Sequence, residues 1–297
     1  MGPVVLRALV ELVRAPAGLT VPGDVLAGAA AAGDLRVGRL VGLSASSMCI
    51  YWAGMALNDW ADRELDAVER PERPIPSGRV SAQTAFNLAA GLTASGLVLS
   101  AVAGGRSALA TSTALAATAW TYDVVAKNTI AGPAVMASAR ALDVLVGAGD
   151  QRRRALAPAL SVGAHILGVT TLSRGEVHGS TPTPARASLA VSAALAAATA
   201  QRASSWKQLV WRRRSTVAEV TTAALAGWFA RSVVPAQAAA AREPDAQHIR
   251  SAVGAGIHGL VPLQAAWVAR AGAPRLGAGL ALAFPLVKAL AKKVSST

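Results

Sequence analysis

The chain has 297 residues, 53% of them hydrophobic and 15% charged, with a mean hydropathy of +0.41. That balance excludes a soluble domain of ordinary make-up and reads as a polytopic membrane protein. A net charge of +13 would suit nucleic acid in a soluble protein. Here the cations gather between apolar segments, at Arg152–Arg154, Arg202–Arg214, Arg270–Arg275 and Lys288–Lys293. Anionic lipid headgroups account for them there, so the bilayer is the expected partner and nucleic acid is not.

The start, Met1 to Val13, shows no apolar run followed by a small-residue cleavage site and so does not read as a secretory leader. Arg7, Glu11 and Arg14 recur at i, i+4 and i+7, opposite Val5, Leu6, Leu9 and Val13. An amphipathic helix near 3–14, lying in the membrane interface, is expected. Ten apolar segments follow, at roughly 17–33, 37–57, 83–103, 106–122, 130–148, 155–172, 184–201, 217–240, 249–270 and 275–291. Each approaches the ~20 residues that cross ~30 Å of hydrocarbon. The segments 217–240 and 249–270 carry charge or Pro at an edge. Ala, Gly, Ser and Thr dominate the segments, and small side chains let helices approach closely in lipid. Cys49, the single cysteine, forms no intrachain disulfide and reads as a small buried hydrophobe. The run from Arg202 to Arg214, with Trp206 and Trp211 among its cations, reads as an interfacial anchor.

The second apolar segment runs into Asn58-Asp59-Trp60-Ala61-Asp62-Arg63-Glu64-Leu65-Asp66. Aspartates at i, i+3 and i+7 share one helical face, where hard oxygen ligands can hold Mg²⁺ and, through it, a diphosphate. Carboxylates at membrane depth are costly and mark ion or substrate handling. The helix should stop near Glu69, because the residue before Pro71 is pushed out of the α region. A Pro-stiffened loop then presents Arg70, Arg73 and Arg79 beside the acidic face, where guanidinium forks match phosphate oxygens.

Asn-Asp-x-x-Asp-x-x-x-Asp at 58–66, followed by Arg-Pro-x-Arg-Pro-Ile-Pro-Ser-Gly-Arg at 70–79, resembles the first signature of the UbiA superfamily of intramembrane prenyltransferases. Within it, the run from Leu57 to Val80 looks most like the EboC-like branch. Tyr122-Asp123-Val124-Val125-Ala126-Lys127, at the end of the fourth segment, resembles the Tyr and Lys element between the superfamily's fourth and fifth spans. The resemblance makes Lys127 a point charge on the diphosphate and Tyr122 part of the cavity wall. Read from the residues alone, they suit a snorkelling lysine and an aromatic-belt tyrosine equally well. Arg140 and Asp143, one turn apart in the fifth segment, read as an intramembrane ion pair facing a substrate cavity or bridging helices. The superfamily's second Asp-rich motif would fall at Thr171–Gly179, and there is no aspartate in it. Glu176, alone or with His178, is the metal-binding substitute available, and Arg174 adds a fixed positive charge. His165 and His258 read as hydrogen-bonded helix–helix partners.

The resemblance implies nine spans, so one of the ten segments, 217–240 or 249–270, is expected to be re-entrant, interfacial or a loop. The expected fold is all-α, a polytopic bundle of about nine transmembrane helices around a central cavity, as one domain over 1–297. The resemblance implies Mg²⁺-dependent transfer of a prenyl group from a prenyl diphosphate to a lipophilic or aromatic acceptor. Asp59, Asp62 and Asp66 would hold the metal with help from Glu176. Asn58, Arg70, Arg73, Arg140, Asp143 and Arg174 would contact substrates, and Tyr122 and Lys127 would act in catalysis. The expected location is the bacterial cytoplasmic membrane, as a multi-pass protein. The altered second motif also suits a noncatalytic relative that binds or passes on a lipophilic metabolite.

Overall fold

In the computed structural model, residues 3–201 and 215–295 are described, and the aromatic and basic anchor expected at 202–214 lies outside them. The described residues are helical with no strand. In chain order the α-helices are α1 (Pro3–Leu12), α2 (Pro22–Ala32), α3 (Val37–Ala61), α4 (Arg63–Glu69), α5 (Ala82–Thr121) and α6 (Gly132–Ala148). They continue as α7 (Leu156–Ser173), α8 (Pro182–Ala200), α9 (Ser215–Arg242), α10 (Ala246–Arg270) and α11 (Pro274–Ser295). Short 3₁₀ segments join α1 to α2 at Ala15–Thr20 and α6 to α7 at Gly149–Ala155, and a π turn, Tyr122–Ala126, follows α5.

Local chemistry sets the helix ends. Pro22 and Pro182 open α2 and α8, where a missing N–H costs nothing. Ser81 caps α5 by accepting from the Thr84 N–H at 3.0 Å. Asp245 caps α10 through the Gln247 and His248 N–H groups at 2.8 and 2.9 Å, and these bonds hold its carboxyl below the usual aspartate range.

Four helical stretches among the described residues are long and apolar enough to cross a membrane: Val37–Ala61, Ala82–Ala126, Gly132–Ser173 and Ala246–Arg270. The nine spans implied by the resemblance therefore do not follow from length and apolarity. Two of the stretches cover 45 and 42 residues. A straight helix of that size would be ~65 Å long, about twice the hydrocarbon thickness. Both fold back instead. In α5 the turn is at Gly105, whose φ of 70° and ψ of −163° suit glycine alone. Its two arms then run antiparallel, tied by Ser100 to Ser112 at 2.8 Å and by the Trp120 indole N–H donating to Thr93 at 3.1 Å. The second stretch turns through the Gly149–Ala155 segment, and α6 packs along α7.

One segment departs from expectation, and one of the two suspected of being re-entrant is a plain helix. The first apolar segment becomes a 3₁₀ piece plus an α2 of 11 residues, only ~16 Å long by itself. Segment 249–270, suspected of being re-entrant, is a continuous helix inside α10, with Pro262 accommodated in its middle. The long α9 carries Pro235 and falls short in apolarity.

The connections sort into two ends. At one end lie the α3–α4 junction, the 70–81 loop, the π turn, the turn after α7 and the α9–α10 turn. Lys127 meets Asp62 there, and the Ser180 N–H donates to Pro244 O at 2.8 Å. At the other end Arg152 donates to Ser107 O at 3.0 Å, Arg39 to Gly147 O at 2.8 Å and Arg270 to Thr199 O at 2.8 Å. Arg152–Arg154 thus lie at the end opposite the aspartates.

α1 is more than an interfacial float. Ala8 and Leu12 are fully buried against Ala56, Leu57, Val80 and Ala85, and Glu11 pairs with Arg79 at 2.6 Å. Its end is anchored to the loop that carries the arginines.

Small residues bring α2 against α6. A Cβ at Gly28 would lie 1.8 Å from Val144 O, and one at Gly147 would lie 2.0 Å from Val25 O. Neither backbone can yield without parting the helices. Gly147→Val is expected to cost about 3 kcal/mol, the upper end of core overpacking, and to lower the thermal midpoint in detergent. Gly91→Ala, which meets nothing within 4 Å, should leave the midpoint unchanged or raise it.

Candidate functional site

The acidic face is built where α3 hands over to α4. Asp62 stands between them at φ −90° and ψ 3°, yet the Asp62 N–H still bonds Asn58 O and the Asp66 N–H bonds Asp62 O, at 2.9 and 2.8 Å. Helical winding therefore continues through the junction, and the three aspartates stay on one side. α4 ends at Glu69 as the sequence expects, with Arg70 at φ −146°.

Each carboxylate is met by a cation from a different part of the chain. Arg73 donates to Asp66 Oδ2 at 2.6 Å and reaches Asp59 Oδ1 at 3.4 Å. Lys127 Nζ lies 2.6 Å from Asp62 Oδ1. Arg14 lies 2.9 Å from Asp59 Oδ1. Asp59 and Asp66 are buried, and such carboxylates are tolerated when paired. The three do not form a tight ligand triad in this arrangement. Among the described residues, one group of three His, Cys or acidic side chains brings its ligand atoms within 4.8 Å of one another: Glu243, Asp245 and His248. It lies at the α9–α10 turn, where cap bonds and the 2.7 Å Asp245–His248 pair already use it.

Arg14 is the residue that sequence reasoning missed. The sequence places it on the polar face of an interfacial helix, but the helix stops at Leu12 and Arg14 turns left-handed, at φ 47° and ψ 49°. That turn sends its guanidinium back to Asp59 and Met55. Arg70 stays exposed and makes no ion pair among the described residues.

The π turn arranges the second element. The Lys127 N–H donates to Tyr122 O at 2.9 Å, an i→i+5 bond. Residues five apart then stand on the same side, which matches the Tyr122 to Lys127 spacing; single π turns recur at functional sites. Tyr122 lines a cavity that runs into the bundle past Gly54, Met55, Leu115 and Met136. Asp123, also on its wall, is buried and accepts from Asn58 Nδ2 at 3.2 Å.

Arg140 and Asp143 reach the deeper part of that cavity, but not as each other's principal partners. Arg140 pairs with Asp24 of α2 at 2.5 Å, and Asp24 also accepts from Gln264 of α10 at 2.6 Å. Asp143 accepts from the Ser47 hydroxyl. The expected i, i+3 pair is thus replaced by a network across α2, α3, α6 and α10, because buried charges take the best-placed partner rather than the nearest in sequence. The His165 Nε2–H donates to Gly256 O at 2.8 Å between α7 and α10, the helix–helix role expected of it.

The turn after α7 joins this end through Arg174, which donates to Thr129 O. Glu176 is half-buried beside Arg250, whose guanidinium bonds its backbone carbonyl at 2.6 Å. Burial raises its carboxyl above the usual glutamate range and Arg250 partly offsets this. Like the three aspartates, Glu176 belongs to no ligand cluster within 4.8 Å among the described residues.

An intramembrane helical bundle with an acidic, cation-lined mouth over an apolar cavity is the class this geometry defines. The model of the UbiA prenyltransferase family matches residues 19–174, and the chain belongs to that family. A digeranylgeranylglyceryl phosphate synthase of Ignicoccus hospitalis is 46% identical over 99 residues, covering 33% of this chain and 32% of its own. The bacteriochlorophyll synthase 33 kDa chain of Rhodobacter capsulatus is 34% identical over 85 residues, covering 29% and 28%. These alignments span about a third of the relatives' length. A solved digeranylgeranylglyceryl phosphate synthase structure superposes with a TM-score of 0.64 at 17% identity, over 90% of this chain and 98% of that one. A UbiA homologue from Aeropyrum pernix K1 gives 0.59 at 20%, over 81% and 94%. The fold is therefore that of the family.

Sidedness offers a direct check. In a Cys49→Ala background, cysteines at Ser77 and Val177 should react with impermeant thiol reagents from the same side, and one at Arg153 from the other. Opposite labelling of Ser77→Cys and Val177→Cys would separate the loops that the structure brings together.

Proposed function

We propose that the chain, as one domain over 1–297, transfers a prenyl group from a prenyl diphosphate to a lipophilic or aromatic acceptor inside the membrane. The observation that carries this reading is the mouth itself: three carboxylates interleaved with Arg14, Arg73 and Lys127, directly over a cavity walled by Gly54, Met55, Leu115 and Met136. A diphosphate needs both signs of charge, and an isoprenoid chain needs the apolar wall. The run Leu57–Val80 supports the finer EboC-like placement, whereas the matched relatives bear other names. The reading requires a bilayer and no particular organism, because those relatives are largely archaeal.

The donor chemistry fits Mg²⁺. Asp59, Asp62 and Asp66 supply hard anionic oxygens, and Asn58 lies beside them. Bound there, the ion would neutralise charge developing on the departing diphosphate. The side chains do the rest. Arg73 and Lys127, which hold the carboxylates together, are long enough to turn to phosphate oxygens, Arg73 as a fork and Lys127 as a point charge. Arg174, fixed on Thr129 O, adds positive potential beside Lys127, in the stretch where the resemblance would put a second Asp-rich motif. As the allylic C–O bond breaks, the cavity wall keeps water from the cation until the acceptor captures it. Tyr122 is part of that wall.

Membranes containing the protein, given Mg²⁺ and radiolabelled prenyl diphosphates of ten, fifteen or twenty carbons, should release pyrophosphate and move label into a lipid product. Asp62→Asn and Lys127→Ala should each reduce this by at least about 10²-fold, the scale of lost electrostatic stabilisation. Prenyl diphosphate bound without pyrophosphate release would favour the noncatalytic carrier, the alternative that the missing second motif supports.

Arg174 separates two roles. If it supplies charge to the diphosphate, Arg174→Ala should weaken inorganic pyrophosphate binding in Mg²⁺ by about tenfold, the 1.4 kcal/mol of a modest charge-assisted bond. Unchanged binding with a lowered thermal midpoint would make it a strut for the 127–132 turn.

A further inference from the structure

Asp123 is a buried carboxylate that the diphosphate site does not use. It is 4% exposed and lies on the wall of the same cavity that Arg140 and Asp143 line more deeply. Its two oxygens are unequal. Oδ1 accepts from Asn58 Nδ2 at 3.2 Å, whereas Oδ2 lies over Gly54, 3.5 Å from where a Cβ on that glycine would sit. Gly54 is itself a wall residue, so the absence of a side chain there leaves Oδ2 facing cavity space. Asp123 makes no ion pair among the described residues, unlike Asp59, Asp62 and Asp66. The groups around it are Asn58 and Gly54 from α3, Tyr122 and Lys127 from its own turn, and Asp62 and Arg14 acting through space.

Resting on the prenyl-transfer reading, we infer that Asp123 is the base that takes the proton an acceptor loses when it is prenylated. The balance is simple. The donor's allylic C–O bond breaks and its electron pair leaves with the diphosphate. The acceptor's hydroxyl oxygen, or the ring carbon of a phenol, forms the new bond to the allylic carbon. Its proton then passes to Asp123 Oδ2 and from there to water at the mouth. A base is needed at this depth because water admitted to take the proton would compete with the acceptor for the allylic cation. The π turn places it: an α-helical turn would not hold Tyr122 and Lys127 on one side while Asp123 sits between them facing Gly54. Asn58 orients the carboxylate through Oδ1, so Oδ2 is held toward the acceptor. The acceptor class follows: a molecule with an ionisable O–H, an alcohol or a phenol, rather than an alkene or a thioether.

Asp123→Asn keeps the shape and removes the base. With the labelled donor that the parent uses, transfer to the lipid product should fall about 10²–10⁴-fold, the usual share of a general base. Binding of inorganic pyrophosphate in Mg²⁺ should stay within about twofold of the parent. The acid limb of the parent's pH–rate profile should be absent in the variant. Asp123→Glu, which keeps a carboxylate one methylene longer, should retain that limb at a reduced rate and serves if Asp123→Asn does not accumulate. Transfer by Asp123→Asn at the parental rate would overturn the assignment. A loss matched by an equal loss of pyrophosphate binding would overturn it too, placing Asp123 in the diphosphate site. A parent that transfers no label from any donor would instead defeat the prenyl-transfer reading on which the inference rests.

Discussion

Charge in hydrocarbon has to be met by charge, and that requirement shapes this bundle at two depths. At the mouth Asp59, Asp62 and Asp66 draw Arg14, Arg73 and Lys127 from three separate segments, and so pin α1, the 70–81 loop and the π turn to the end of α3. In the interior Asp24 draws Arg140 and Gln264, while Asp143 takes the Ser47 hydroxyl. Either carboxylate group alone would cost several kcal/mol to bury. Together with the small-residue contact of α2 on α6, they explain why the helices adopt this mutual arrangement.

The same pairing has a functional consequence. Cations that hold carboxylates together are cations close to where a diphosphate would need them. Exchange of partners, from carboxylate to phosphate oxygen, needs only rotations of Arg73 and Lys127 side chains, whereas Arg14 is fixed by a left-handed backbone and by the burial of Leu12. The mouth is thus part rigid and part adjustable, and the cavity below it is continuous with its least paired carboxylate, Asp123.

The sequence made the acidic face legible because the i, i+3, i+7 register survives the bend at Asp62, where main-chain bonding is uninterrupted. Lys127 and Arg73 were recognisable by charge and neighbourhood, though not which aspartate each would take. The five-residue step from Tyr122 to Lys127 was visible, but its π turn was not, since α and π winding differ by one residue that composition does not mark. Arg14 was hidden by a helix that stops two residues early, and the Asp24–Arg140 pair by the sequence distance between α2 and α6. Span counting met a different obstacle: apolar runs show where a membrane could be crossed, while the folding back at Gly105 and at Gly149–Ala155 decides how a long run is divided.

The central claim is that the aspartate face takes a metal and a diphosphate through one partner exchange. Anomalous scattering from crystals of the full chain grown with Mn²⁺ and pyrophosphate tests it most directly. The account predicts a metal peak ligated by at least two of Asp59, Asp62 and Asp66, with Lys127 and Arg73 turned to phosphate oxygens. A peak at Glu243, Asp245 and His248 instead, with Lys127 still on Asp62 and Arg73 still on Asp66, would contradict it.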